Sequence, residues 1–260
     1  MAEPQNALIE LVTLLNNQPE QVALFLDFDG TLVDLAPSPE AVVVPPDLPD
    51  LLDQLSRSLD GAMAIVTGRE ISEIDRFLKR ADFVVAGSHG AVIRIDSAQE
   101  PILAENAPML DQGLRQALAQ MATRLGCLPE DKGYSVALHY RQAPENAPQL
   151  KAEIDTLLAN EPSSFRPVVM TGKMVYEIKF DTYNKGTALD CLMKRSPFTG
   201  RRPVFIGDDV TDVYGFKQAS ALGGAGFSVG RAMSHASAMF DSALTVRDAI
   251  AQGVISSGRN

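Results

Sequence analysis

Short, unbroken apolar runs alternate with amphipathic stretches over the first third of the chain. VALFL (22–26), AMAIV (62–66) and FVVAG (83–87) are rich in branched or aromatic residues. That pattern predicts strands covered on both faces. Between them, Leu48, Leu51, Leu52, Leu55 and Leu59 fall at helical spacing, as on a helix that buries one stripe. Alternation of strand and helix predicts a doubly wound parallel sheet, an α/β core.

The middle third reads differently. A helix is predicted over 110–126 and a second around 148–159. YSVALHYR (134–141) and KMVYEIKF (173–180) alternate with period two, as half-buried strands do. Val136, Leu138 and Tyr140 fall on one face; Ala137, His139 and Arg141 fall on the other. This predicts a small α+β unit with an open sheet face, inserted at 105–181 into a core built from 1–104 and 182–260. After Asp181 the earlier pattern returns, with a helix over 185–195 and the strand PVFIG at 203–207. The segment 1–20 is expected to be a helix against the core, His235 to sit on a surface helix, and GGAGFSVG (223–230) to be a turn into a short strand. His89, flanked by glycine, reads as a residue that shapes a turn.

Composition narrows the class. The 260 residues are 45% hydrophobic and carry a formal charge of −10, which disfavours a disordered chain, a nucleic-acid-coating protein or one bound to an anionic membrane. Cys127 and Cys191 show no CxxC spacing, so neither a disulfide framework nor a zinc site is expected. No stretch has the length of a membrane span, and the start lacks a secretory pattern; a cytoplasmic location is the expectation.

Candidate chemistry sits where the apolar runs end. VALFL runs into Asp27-Phe28-Asp29-Gly30-Thr31, AMAIV into Thr67-Gly68-Arg69, and PVFI into Gly207-Asp208-Asp209-Val210-Thr211-Asp212. Ligands of open parallel sheets bind beyond the carboxyl ends of strands. Carboxylates gathered there repel one another unless a cation joins them, and oxygen donors suit Mg²⁺. Asp27, Asp29, Asp208 and Asp209 are the expected metal ligands, with Asp212 in support. Asp27 is placed to attack phosphorus, and Asp29 to protonate the leaving oxygen and then activate water. Thr67, Gly68, Arg69 and Lys185, the last at a helix start, are the expected phosphate-binding group.

These four segments, in this order, resemble the motifs of the haloacid dehalogenase superfamily of Mg²⁺-dependent phosphatases. The resemblance covers nearly the whole chain and implies that the inserted unit is a cap that selects the substrate. In finer detail the chain resembles the trehalose-6-phosphate phosphatase family, through DFDGTLVDLAPSPEAVVVP (27–45), VTGR (66–69), GSHGA (87–91), KGYSVALHYRQAP (132–144), GKMVYEIK (172–179) and GDDVTD (207–212). That resemblance implies hydrolysis of trehalose 6-phosphate through an aspartyl phosphate on Asp27. It also implies sugar-binding roles for Glu130, Lys132 and Glu177, with Lys173 in the same segment. Strand alternation adds His139 and Arg141, and puts Glu177 beside Lys179. Val92 and Val213 stand where the family often has acidic residues. The residues alone leave other readings open: a phosphatase for sucrose phosphate, glucosylglycerol phosphate or a mannosylglycerate phosphate, a phosphomutase, or a sugar-phosphate-binding regulator without turnover.

Overall fold

The computed structural model describes residues 5–36, 41–104, 107–162, 166–172 and 174–257. They form two compact units. One comprises residues 1–104 and 183–260, the other 105–182.

The first unit opens with β1 (Gln5–Asn6), α1 (Ala7–Asn17), β2 (Val22–Leu26), α2 (Leu48–Ser58), β3 (Met63–Val66), α3 (Ile71–Leu78), β4 (Val84–Gly87), β5 (Val92–Arg94) and β6 (Ile102–Leu103). The second unit holds α4 (Gln112–Arg124), β7 (Leu128–Asp131), β8 (Ser135–His139), α5 (Ala147–Ala159), β9 (Val168–Gly172) and β10 (Val175–Lys179). The chain then completes the first unit with α6 (Lys185–Met193), β11 (Arg202–Gly207), α7 (Val213–Ala221), β12 (Ala225–Val229), β13 (Ala238–Phe240) and α8 (Ala243–Ser257).

The main sheet has nine strands in the order β1-β13-β12-β11-β2-β3-β4-β5-β6. From β1 to β4 every pairing is parallel. Every residue of β2 is buried, as a central strand under helices on both sides requires. From β2 the chain builds outward through β3 and β4, and from β11 outward through β12 and β13. The β2/β11 seam is therefore the point where strand order reverses, the place such sheets open a crevice. Helix α2 buries Leu48, Leu52 and Leu55, the stripe foreseen from their spacing.

Three features depart from the sequence expectations. β5 and β6 turn back antiparallel at the sheet edge, because residues 88–91 are far too few for a parallel crossover. Residues 5–6 pair with β13 ahead of α1, so the leading segment is not helical throughout. His235 stands in a turn with φ of 65° rather than on a helix. Both cysteines are free thiols. Among the described residues no helix is long and apolar enough to cross a membrane.

The second unit is a four-stranded antiparallel sheet, β7-β8-β10-β9. Its core gathers Leu114, Leu118, Ile154 and Leu158 from the helices against Val136, Leu138 and Ile178 from the strands. Tyr140 packs on the same cluster, the face that alternation assigned to it.

Candidate active site

Asp27 follows directly on β2, and its N–H donates to the Ile206 carbonyl of β11 at 2.9 Å. The backbone under this carboxylate is therefore fixed by the sheet itself. Lys185 opens α6, whose N-cap Asn184 accepts from Gly186 and Thr187 N–H. Its ammonium lies 2.8 Å from Asp27 Oδ1 and 2.6 Å from Asp212 Oδ1. All three residues are buried. Asp212 Oδ2 also accepts the Asp209 N–H at 2.8 Å, and the Asp209 side chain caps the Asp212 N–H in return.

The electrostatics follow from that crowding. Burial, then the charge of Asp212, pushes the Asp27 carboxyl well above the usual aspartate range, while Lys185 pulls it back. Burial and Asp212 likewise raise Asp208 to about 6. Burial opposes the charge on Lys185, yet Asp212 and Asp27 hold it more firmly protonated than a free lysine. Gly30, with φ of 75°, is required here: a Cβ on it would sit 2.2 Å from Asp208 Oδ2.

Asp29 takes a different place. Arg69 Nε donates to its Oδ2 at 2.5 Å and Arg69 Nη2 to its Oδ1 at 2.8 Å. Thr67 is buried after β3, and its hydroxyl accepts the Arg69 N–H at 3.1 Å. Asp27, Asp29, Thr67, Lys185 and Asp208 line one cleft of about 660 Å³ in this unit.

One carboxylate oxygen each of Asp27, Asp208 and Asp212 lies within 4.8 Å of the other two. An all-oxygen set of this size is chemically suited to a hard divalent cation, and burial and the neighbouring charge of Asp212 already oppose the ionised forms of Asp27 and Asp208. The acidic triad could thus hold a metal. The carboxylates of Asp29 and Asp209, expected as ligands, lie outside this triad; Asp212, expected only in support, lies inside it.

In the second unit, the pairing of β7, β8 and β10 sets Glu130 opposite Ala137 and Ala137 opposite Glu177. Directly opposed residues share a face, so Glu130, His139, Glu177 and Lys179 line one side of this sheet. His139 Nε2 is 3.0 Å from Glu130 Oε2, and Lys132 Nζ is 3.5 Å from Glu130 Oε1. Burial works against the Glu130 charge, but His139 and Lys132 hold the carboxyl below the usual glutamate value. This face is not open throughout: Ser135 and Lys179 are buried, and burial pushes the Lys179 ammonium down despite Glu177 and Asp181. Arg141 follows just past the end of β8. Lys173 lies outside the described residues.

Comparison with known proteins bears on what this arrangement is. The family model described as trehalose-phosphatase matches residues 25–242. A probable trehalose-phosphate phosphatase of Sinorhizobium fredii is 40% identical over 85% of this chain and 82% of its own length. The chain belongs to the trehalose-phosphatase family. A trehalose-6-phosphate phosphatase of Escherichia coli is 36% identical over 86% of this chain and 84% of its own. The fold is also that of a haloacid dehalogenase-like hydrolase from Bacteroides thetaiotaomicron, with a TM-score of 0.67 at 14% identity over 89% of this chain and 98% of that one.

The segments that follow β2, β3 and β11 reach one edge of the sheet, and Lys185 joins them from the start of α6. Parts of the site went unread, Arg231 and Ser242 of the cleft wall among them. His89, read only as a turn residue, does have φ of 58°, and it also lines the cleft. The grip of Arg69 on Asp29 links residues 40 apart in the chain, and no local spacing signals a pair of that kind.

Proposed function

We propose that the chain is a Mg²⁺-dependent phosphatase that converts trehalose 6-phosphate and water into trehalose and phosphate. The observation that carries the reading is the buried Lys185 ammonium shared by Asp27 and Asp212 at the β2/β11 seam. It supplies a nucleophile whose position the backbone fixes and a counter-charge for its ionised form.

In the first step an Asp27 oxygen attacks phosphorus, and the bond from phosphorus to the sugar oxygen breaks. Asp29 gives that oxygen its proton. In the second step water attacks phosphorus, Asp29 takes the water's proton, and the Asp27 acyl-phosphate bond opens to release inorganic phosphate. Lys185 and Thr67 stabilise charge on the phosphoryl oxygens, a reaction in which positioning and neutralisation do most of the work. Asp27, Asp208 and Asp212 are the residues that would hold Mg²⁺, and the ion when bound supplies positive charge to the cluster and the phosphoryl group. Glu130, Lys132, His139, Arg141 and Glu177, and Lys173 by its segment, are read as the sugar-binding group, since hydroxyls call for side chains that donate and accept.

The test is phosphate release from a panel of sugar phosphates, with Mg²⁺ and with chelator, by the wild type and Asp27→Asn. Metal-dependent release from trehalose 6-phosphate alone, lost in the variant, is expected. Preference for sucrose phosphate or another ester would keep the chemistry and overturn the substrate. Glu177→Ala should cost roughly 10-fold or more in kcat/KM for trehalose 6-phosphate, about the worth of a charge-assisted hydrogen bond, and little for an aryl phosphate. Equal losses on both would remove Glu177 from the sugar site.

A further inference from the structure

Arg69 stands beside Thr67 and Gly68 in a segment read as phosphate-binding and lines the same cleft, yet its guanidinium is engaged by carboxylates. Two of its N–H groups form a fork on Asp29, at 2.5 Å and 2.8 Å. Nη1 donates to Glu73 Oε1 at 3.2 Å, and the guanidinium lies over the Phe77 ring with 4.9 Å to the centroid. The backbone is held as well: the Arg69 N–H donates to Thr67 Oγ1, and its carbonyl accepts the Ser88 N–H at 2.8 Å. The Arg69 side chain is only 10% exposed.

These contacts close on themselves. Phe77 stacks on Phe28 with 5.9 Å between centroids, and Phe28, fully buried, is the residue between Asp27 and Asp29. Glu73 accepts the Glu70 N–H in the capping box of α3, so that brace is anchored to a helix start. The backbone of Asp29 is held by its own turn, where the Gly30 N–H donates to the Val33 carbonyl at 2.8 Å, and through this circuit α3 holds its carboxyl. A bidentate guanidinium–carboxylate pair sets direction as well as distance.

We infer that Arg69 is a positioning residue for Asp29, the clamp that sets the orientation from which that carboxyl reaches the leaving oxygen, and that it is not a phosphate ligand. While both Asp29 oxygens accept from Arg69 the carboxyl is ionised and held in the form that receives a proton; to act as the acid, one oxygen leaves the fork, takes a proton from water and passes it to the leaving oxygen, from a fixed starting point. This inference rests on Asp29 being the acid/base of the proposed phosphatase.

The chemistry gives the two roles different signatures. Protonation of the leaving group matters for a basic leaving oxygen and hardly at all for a good leaving group, whereas a phosphate ligand matters for every ester alike. The experiment compares kcat/KM for trehalose 6-phosphate, phenyl phosphate and p-nitrophenyl phosphate, with the inhibition constant of inorganic phosphate, in wild type, Asp29→Asn, Arg69→Gln, Arg69→Lys and Glu73→Gln. Arg69→Gln is expected to lose roughly 10- to 100-fold on the first two esters and less than about 3-fold on the third, with phosphate inhibition unchanged. Arg69→Lys keeps the charge without the fork and should show the same selective loss, and Glu73→Gln a weaker one; these two carry the test if Arg69→Gln does not fold. Equal losses on all three esters, weakened phosphate inhibition, full activity in Arg69→Lys, or no loss in any variant would each overturn the clamp. If Asp29→Asn itself shows no dependence on the leaving group, the failure lies in the phosphatase mechanism rather than in Arg69.

Discussion

Lys185 ends between two buried carboxylates, 2.8 Å from Asp27 and 2.6 Å from Asp212. Either acid without it faces the other across a water-poor space, so the lysine is structural as well as chemical. We predict that Lys185→Met lowers unfolding free energy by about 3–5 kcal/mol, the cost of breaking a buried ion pair, as read from urea melts. Adding Asp212→Asn should return a large part of that loss, because one of the repelling charges is gone; additive losses would mean that the two sites do not couple. Asp27→Asn should behave in the opposite way. It is nearly isosteric and removes a carboxyl whose ionisation burial and Asp212 oppose. Turnover should fall by roughly 10⁴-fold or more, as for the loss of a nucleophile, while the metal-free thermal midpoint stays level or rises. A clearly lower midpoint would show that the Asp27 charge is needed for folding.

At the scale of elements, the loop after β2 is shaped by its approach to Asp208. Gly30 and Gly200 both have positive φ, 75° and 81°, but only Gly30 meets another group; nothing lies within 4 Å of a Cβ built on Gly200. Gly200→Ala should therefore cost about 1 kcal/mol, the conformational term alone. Gly30→Ala should cost at least twice that and abolish activity. Similar costs at the two positions would mean that the Asp208 contact yields freely. The strand runs at 22–26, 62–66, 83–87 and 203–207 were legible because strands buried on both faces leave unbroken apolar runs, and their ends gave Asp27, Thr67 and Asp208 directly. Antiparallel β5 and β6 were not legible: Val92–Arg94 and Ile102–Leu103 are too short to carry a period. On β8, alternation of residue type was visible, but Ser135 and Ala137 are buried on the polar face, and burial is not written in one strand's pattern. The Arg69–Asp29 fork depends on α3 and β2 meeting in three dimensions, and sequence spacing carries no trace of it.

For the molecule as a whole, the acidic cluster couples metal binding to stability and to pH. In the folded metal-free chain Asp208 titrates at about 6, raised by burial and by Asp212, whereas in an unfolded chain an aspartate titrates at about 3.9. Between these values the folded state binds more protons than the unfolded one, so this group makes stability fall as pH rises through that window. The raised Asp27 carboxyl acts in the same direction. A divalent cation requires the deprotonated carboxylates and competes with those protons, so its stabilising effect should grow as pH rises from 5 to 7.5. At a Mg²⁺ concentration of 100 times Kd the gain is about 2.7 kcal/mol, or a rise of about 5–10 °C in the melting of a protein of this size. Thermal melts at pH 5, 6 and 7.5, with Mg²⁺ and with chelator, measure it. Asp208→Asn should weaken Mg²⁺ binding and reduce the pH dependence, since it removes one of the two carboxyls with a raised titration. A Mg²⁺ effect of the same size at all three pH values would place the cation away from Asp208 and Asp27, and the loss of any Mg²⁺ effect in the wild type would remove the cluster from consideration as a metal site.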